Sequence, residues 1–117
     1  MNKKRIIYVA YPYTHDDPVE NTHSAMQIAN TLVDLEFIPY IPHLNLLWHL
    51  VYPRPAHFWY EFDVYFLKKC DALLRMGGAS VGADNEVLIA KENDIPVFYS
   101  FKELKNKQGG KIEKNVL

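Results

Sequence analysis

The chain predicts a small three-layer α/β fold built on a parallel sheet of four to five strands. Two observations carry that prediction. Short β-rich segments at 6–10, 37–41, 71–76 and 96–99 alternate with segments whose apolar residues recur at helical spacing. The first and third of these strands are apolar at nearly every position, the pattern of strands covered by helices on both faces. A length of 117 residues suits one core, expected as a single domain over 1–107 with a tail at 108–117.

Taken in order, Ile6-Ile7-Tyr8-Val9-Ala10 is the first strand, followed by a polar loop from Pro12 to Asp17. Asp17-Pro18 marks a helix start, with Asp as the N-cap and Pro in the first helical position. Ala25, Ile28, Ala29 and Leu32 form its apolar stripe, widened by Met26 and Val33. Phe37-Ile38-Pro39-Tyr40-Ile41 reads as the second strand, and Pro39, lacking an N–H, places it at a sheet edge. From Pro42 to Pro55 only a short helix across 44–50 is suggested. His57 to Lys69 predicts a helix with Phe58, Phe62, Tyr65, Phe66 and Lys69 on one face. The third strand, 71–76, leads through the small-residue loop 77–82 into a helix ending near Asn93-Asp94. The strand 96–99 and a last helix from Phe101 to Lys107 follow, broken at Gly109-Gly110. There is no internal repeat or low-complexity segment.

Composition excludes several function classes. Hydrophobic residues make up 49% and charged residues 23%, with a formal net charge of −1 and no basic run. A nucleic acid polymer is therefore not an expected partner, since phosphate neutralisation needs a clustered positive footprint. A single cysteine, Cys70, rules out an internal disulfide and suits a reducing compartment. The apolar run 6–10 behind the basic start is too short for a signal core or a bilayer span. A soluble, cytoplasmic domain without membrane association is expected.

Candidate chemistry centres on Ser80-Val81-Gly82-Ala83-Asp84-Asn85-Glu86, where a strand hands over to a helix. In open α/β sheets ligands bind beyond the carboxyl ends of the strands, against the next helix. Placed in the first helical turn, Glu86 is either an acid favoured there by the helix dipole or a reagent kept ionised by it. The loop Gly77-Gly78-Ala79-Ser80-Val81-Gly82 allows close backbone approach, and N–H groups at a helix start suit a phosphate. Ser80 also fits a turn or helix-entry role. Asp63, within the aromatic helix, is either a solvated acid or a proton donor at the strand-end cleft. No residue three or four positions on could pair with it as an ion. His43 follows the second strand, at the edge where ligands bind. The five histidines lack ligand spacing, so no metal is expected. No Gly-x-Ser-x-Gly elbow is present. The aromatic run Phe58-Trp59-Tyr60, with Trp48 and Tyr52, reads as core or a subunit interface, and as a base-stacking wall in a minority reading.

Three blocks then stand together: Tyr8-Val9-Ala10 with Pro12-Tyr13, Asp63 ahead of Cys70-Asp71-Ala72, and Ser80-x-Gly82-x-x-x-Glu86-x-x-x-Ala90. They resemble the nucleoside 2-deoxyribosyltransferase superfamily, especially its small members, which include nucleotide N-glycosidases. The resemblance runs from residue 6 to about 99. It implies a flavodoxin-like fold and cleavage or transfer at the N-glycosidic bond of a (deoxy)nucleoside 5′-monophosphate, with no cofactor. It implies Glu86 as the nucleophile that attacks the anomeric carbon, Asp63 as the group assisting departure of the base, and Tyr8 as holding the nucleophile. Ser80 with Gly82 is implied at the 5′-phosphate, and His43 near the substrate. Tyr11 stands where the family often has glycine and is expected to line the pocket. Asp84 departs from the family pattern too, adding a negative charge beside the phosphate loop. A homodimer or larger assembly is implied, with the helix 57–69 as its interface. The alternative is a non-catalytic nucleotide-binding or sensing module of the same fold. A third reading is an interaction domain using the aromatic stretch 48–60.

Overall fold

A computed structural model describes residues 3–109, and most of the tail expected at 108–117 lies outside them. The apolar segments at 6–10 and 72–75 form the two central strands, because only there are both sheet faces covered. β1 (Ile6–Ala10), β2 (Ile38–Tyr40), β3 (Ala72–Arg75) and β4 (Val97–Phe98) make one parallel sheet in the order β2-β1-β3-β4. The sheet has four strands among the described residues, and Pro39 does lie on an edge strand. β1 fills its whole segment, while β2, β3 and β4 are each two residues shorter than theirs.

Alternation along β1 and β3 divides the core in two. Ile7, Val9, Ala72 and Leu74 face α1 (Pro18–Asp34), which buries Ala25, Ile28 and Leu32 against them. Tyr8, Ala10 and Leu73 face the opposite way, toward Leu67 of α3 (Ala56–Leu67) and Ala83, Val87 and Ala90 of α4 (Val81–Glu92). The starting cap of α1 is as the sequence reads: Asp17 accepts from the Val19 N–H at 2.9 Å, with Pro18 first in the helix. The short α2 (Asn45–Val51) follows a 3-10 turn at Pro42–Leu44, and α5 (Phe101–Leu104) continues into a wider turn at Lys105–Gly109.

Two sequence expectations are corrected. Helix α4 begins at Val81, because the Ser80 hydroxyl accepts from the Ala83 N–H at 3.1 Å and caps it. Glu86 is therefore the sixth helical residue, in the second turn, and the acid of the first turn is Asp84. The aromatic face of α3 meets the sheet only at Phe66, which stacks on Tyr40. The inward residues are Asp63 and Leu67, one turn apart, while Tyr65 is 73% exposed and Phe66 42%. The other aromatics pack sideways instead: Trp48 of α2 meets Trp59 at 5.1 Å and Phe62 at 5.8 Å between ring centroids. They attach α2 to α3, although α2 buries none of its own residues. No helix among the described residues is long and apolar enough to cross a membrane.

Candidate active site

In this sheet the chain passes from β1 outward to β2, then returns to place β3 on the other side of β1. The carboxyl ends of β1 and β3 therefore flank a topological switch point, where a crevice opens between oppositely directed connections. The loops after β1 (11–17), after β2 (41–45) and after β3 (76–80) converge there.

Parallel register sets Tyr8 directly beside Tyr40. Their rings stack at 5.5 Å with a 26° tilt, and Tyr40 stacks in turn on Phe66 at 4.9 Å. Each phenol holds one carboxylate. The Tyr8 hydroxyl donates to Glu86 Oε2. The Tyr40 hydroxyl donates to Asp63 Oδ1 at 3.0 Å, and Asn45 Nδ2 donates to the same oxygen at 3.0 Å. No described donor is bonded to Asp63 Oδ2.

Electrostatics at the pair are dominated by burial. Asp63 is 9% exposed, and burial pushes its carboxyl up to about 7 against the lowering effect of the Tyr40 and Asn45 bonds. Burial likewise raises Glu86 to about 7; the Tyr8 bond opposes the rise, the Asp63 charge adds to it and Arg75 opposes it. The reading in which a helix-start field keeps Glu86 ionised is thus corrected, because burial outweighs what remains of the dipole in the second turn. Tyr8 is fully buried, and burial followed by the Glu86 charge lifts its hydroxyl well above the ordinary tyrosine value, so it remains a donor.

Ahead of α4, Gly77 adopts a φ of +86°, and a Cβ there would lie 2.6 Å from Tyr11 Cε1. Only glycine lets the two loops cross this closely. Arg75, 9% exposed at the end of β3, donates to the Met76 carbonyl at 2.5 Å, the Gly78 carbonyl at 2.7 Å and Asp84 Oδ1 at 3.2 Å. The Asp84 charge is therefore paired with a guanidinium, which the sequence reading had left uncompensated. Ser80 caps α4, and Gly82 lies exposed one turn before Glu86 on the same face.

The wall after β1 and β2 holds the remaining expected residues. His43 is 2% exposed; its Nε2 meets the Pro12 carbonyl at 2.9 Å, while Nδ1 is buried without a partner. Burial lowers its pKa, favouring the neutral ring. Tyr13 stands edge-on to His43 at 5.4 Å, and its hydroxyl pKa is raised by burial and then by the Asp63 charge, which links this wall to the carboxylates. Tyr11 packs mainly against the α1-side core, 6.0 Å from His43. The structure thus joins Tyr8, Glu86 and Asp63 in one cluster, with Ser80 and Gly82 on one flank and His43 and Tyr11 on the other. Among the described residues no three His, Cys, Asp or Glu side chains group as metal ligands.

Residues 5–100 match the family model described as a domain of unknown function (DUF7768). The chain belongs to this family. No curated protein sequence matches it. Among solved structures, the DUF7768 chain is similar to the 2-deoxyribosyltransferase from the psychrotolerant bacterium Bacillus psychrosaccharolyticus. The two share a TM-score of 0.57 and 20% identity, over 79% of this chain and 69% of that one. At that identity the likeness is one of fold: the DUF7768 chain has a nucleoside 2-deoxyribosyltransferase-like, flavodoxin-like α/β architecture.

Sequence reasoning missed Tyr40, Asn45, Tyr13 and Arg75. Tyr40 carried a usable signal, as a polar-tipped aromatic ending an edge strand. Arg75 carried another: a cation closing an otherwise apolar strand needs a buried partner. Asn45 had none, since only the fold brings α2 against Asp63.

Proposed function

We propose that this DUF7768 chain cleaves or transfers at the N-glycosidic bond of a (deoxy)nucleoside 5′-monophosphate. The observation that carries the reading is the pair of carboxylates at the switch point, Asp63 buried and Glu86 half-buried, each held by a phenol from one of two adjacent strands. Likeness of fold to a 2-deoxyribosyltransferase supports the same reaction class.

Two interacting carboxyls that both titrate near 7 share a proton across the neutral range. In the proposed reaction Glu86 is the ionised partner and the proton lies on Asp63 Oδ2, the oxygen to which no described donor is bonded. The Glu86 carboxylate attacks C1′ as the C1′–N bond breaks through an oxocarbenium-like state. Asp63 gives its proton to the departing base. Water, or the nitrogen of a second base, then displaces Glu86 from C1′ and returns a proton to Asp63, which regenerates both groups. Tyr8 holds the nucleophile, the α4 start with Ser80 and Gly82 receives the 5′-phosphate, and His43 with Tyr11 shapes the wall beside the substrate. Such a substrate suits the cytoplasm, where the free Cys70 thiol also stays reduced.

The reading includes self-association through α2 and α3, whose Leu47 and Tyr65 are 71% and 73% exposed. Free base released from a panel of ribo- and deoxyribonucleoside monophosphates, with and without acceptor base, tests the activity. Glu86→Ala should lower the rate by roughly three orders of magnitude or more, the scale of losing a covalent nucleophile. Undiminished release by that variant sinks the nucleophile assignment. Nucleotide binding without release under any acceptor selects the binding module instead.

A further inference from the structure

Arg75 is a buried cation at the end of a central strand, where a charge is costly unless every donor is used. It pairs with Ala10 in register and leaves β3 on the Tyr8 and Leu73 side, so its side chain runs between the sheet and α4. Its three bonds reach two different elements. Nη1 and Nη2 take the carbonyls of Met76 and Gly78, on either side of the Gly77 turn, and Nε takes Asp84 in the first turn of α4. We propose that Arg75 is the positioning residue of the candidate site: its guanidinium clamps the 76–78 turn to α4, fixes the loop ahead of Ser80, and sets a positive charge against Glu86.

The ion pair is lopsided in a way that serves the second role. The Asp84 side chain is 67% exposed and the Arg75 side chain 9%, so water screens the anion much more than the cation. Inward of the pair, the guanidinium lowers the Glu86 pKa, the smallest of the four effects on that carboxyl. The groups that face Glu86 there are Tyr8 from β1, Asp63 and Tyr60 from α3, and Arg75 from β3, with Asp84 two residues away on its own helix. Arg75 is the one cation acting on Glu86 among these. Lysine could supply the charge but not the fork that joins two carbonyls and a carboxylate.

The kinetic consequence rests on Glu86 as nucleophile; the positioning claim does not. It is tested by carboxyl 13C titration of Glu86 and amide hydrogen exchange of residues 77–83, both on the free protein. Arg75→Met should raise the Glu86 midpoint by about one pH unit and speed loop exchange by roughly tenfold or more, the factor of one charge-assisted hydrogen bond. Arg75→Lys should leave the midpoint near wild type yet still speed exchange, separating charge from clamp. Arg75→Gln, which keeps part of the hydrogen bonding should Arg75→Met lose the fold, should raise the midpoint likewise, whereas Asp84→Asn should leave it close to wild type because water already screens that carboxylate. A Glu86 midpoint unmoved in Arg75→Met and Arg75→Gln overturns the charge role, and unchanged exchange in Arg75→Lys overturns the clamp. Shifted midpoints with no base release in any assay support this inference and sink the catalytic reading.

Discussion

Replacing Glu86 by glutamine removes a charge while keeping an oxygen for the Tyr8 hydroxyl to bond, so it isolates the cost of ionising this carboxyl inside the fold. Burial raises Glu86 from its ordinary 4.5 to about 7. For an acid whose folded pKa lies above its unfolded one, the stabilising contribution is complete below the unfolded value and is lost as pH rises through the folded value. The window runs from about 4.5 to about 7, and at 1.36 kcal/mol per pH unit the loss is about 3 kcal/mol at pH 8. Partial solvent access and coupling to Asp63 lower the expected figure to roughly 1.5–3 kcal/mol. For a domain of this size that is on the order of 5–12 °C in Tm. His43 works in the opposite sense, because its lowered pKa makes the fold lose stability as pH falls, but it is common to both proteins and cancels in their difference. Thermal unfolding of wild type and Glu86→Gln from pH 5 to 8.5 reads the effect. The variant's Tm advantage should grow from pH 5 to about 7 and level off above it. A Tm difference that stays constant or shrinks across that range refutes the burial argument.

Two further outcomes follow from the loop and its cap. Gly77→Ala puts a Cβ within 2.6 Å of Tyr11 at a φ of +86°, so it should destabilise by about 1–3 kcal/mol and shift Tyr11 ring resonances in NMR spectra. The same substitution at Gly78, which has open space around its Cβ position, serves as the control and should cost under about 0.5 kcal/mol. Ser80→Ala removes the acceptor for the Ala83 N–H and should cost about 1 kcal/mol in urea unfolding, while Ser80→Asp should keep most of that stability.

Local rules made much of the fold legible. Apolar runs marked β1 and β3, Asp17-Pro18 opened α1 at the right residue, and Pro39 put β2 on an edge. Small errors at helix ends had larger consequences for the site. Helix entry is one of the roles open to Ser80 in the sequence; with Ser80 as the cap, Glu86 falls in the second turn, where burial raises its pKa. The aromatic stripe of α3 misled for a related reason. Hydrophobic periodicity identifies a face that avoids water, and here that face is covered partly by α2 rather than by the sheet.

What no local rule could supply is register. Tyr8 and Tyr40 are 32 residues apart, and nothing near either one says that they will stack. Once β1 and β2 align in parallel, their pleats point both phenols to the same side, and the hydroxyls diverge to Glu86 and Asp63. Each carboxylate then sits on a different helix but is held from the same sheet. A one-residue slip of β2 would turn Tyr40 to the α1 side and leave Asp63 with Asn45 alone. The stacked pair therefore makes strand register a condition for the site: Glu86 keeps its Tyr8 donor whatever β2 does, but the buried Asp63 has both of its donors only in this alignment.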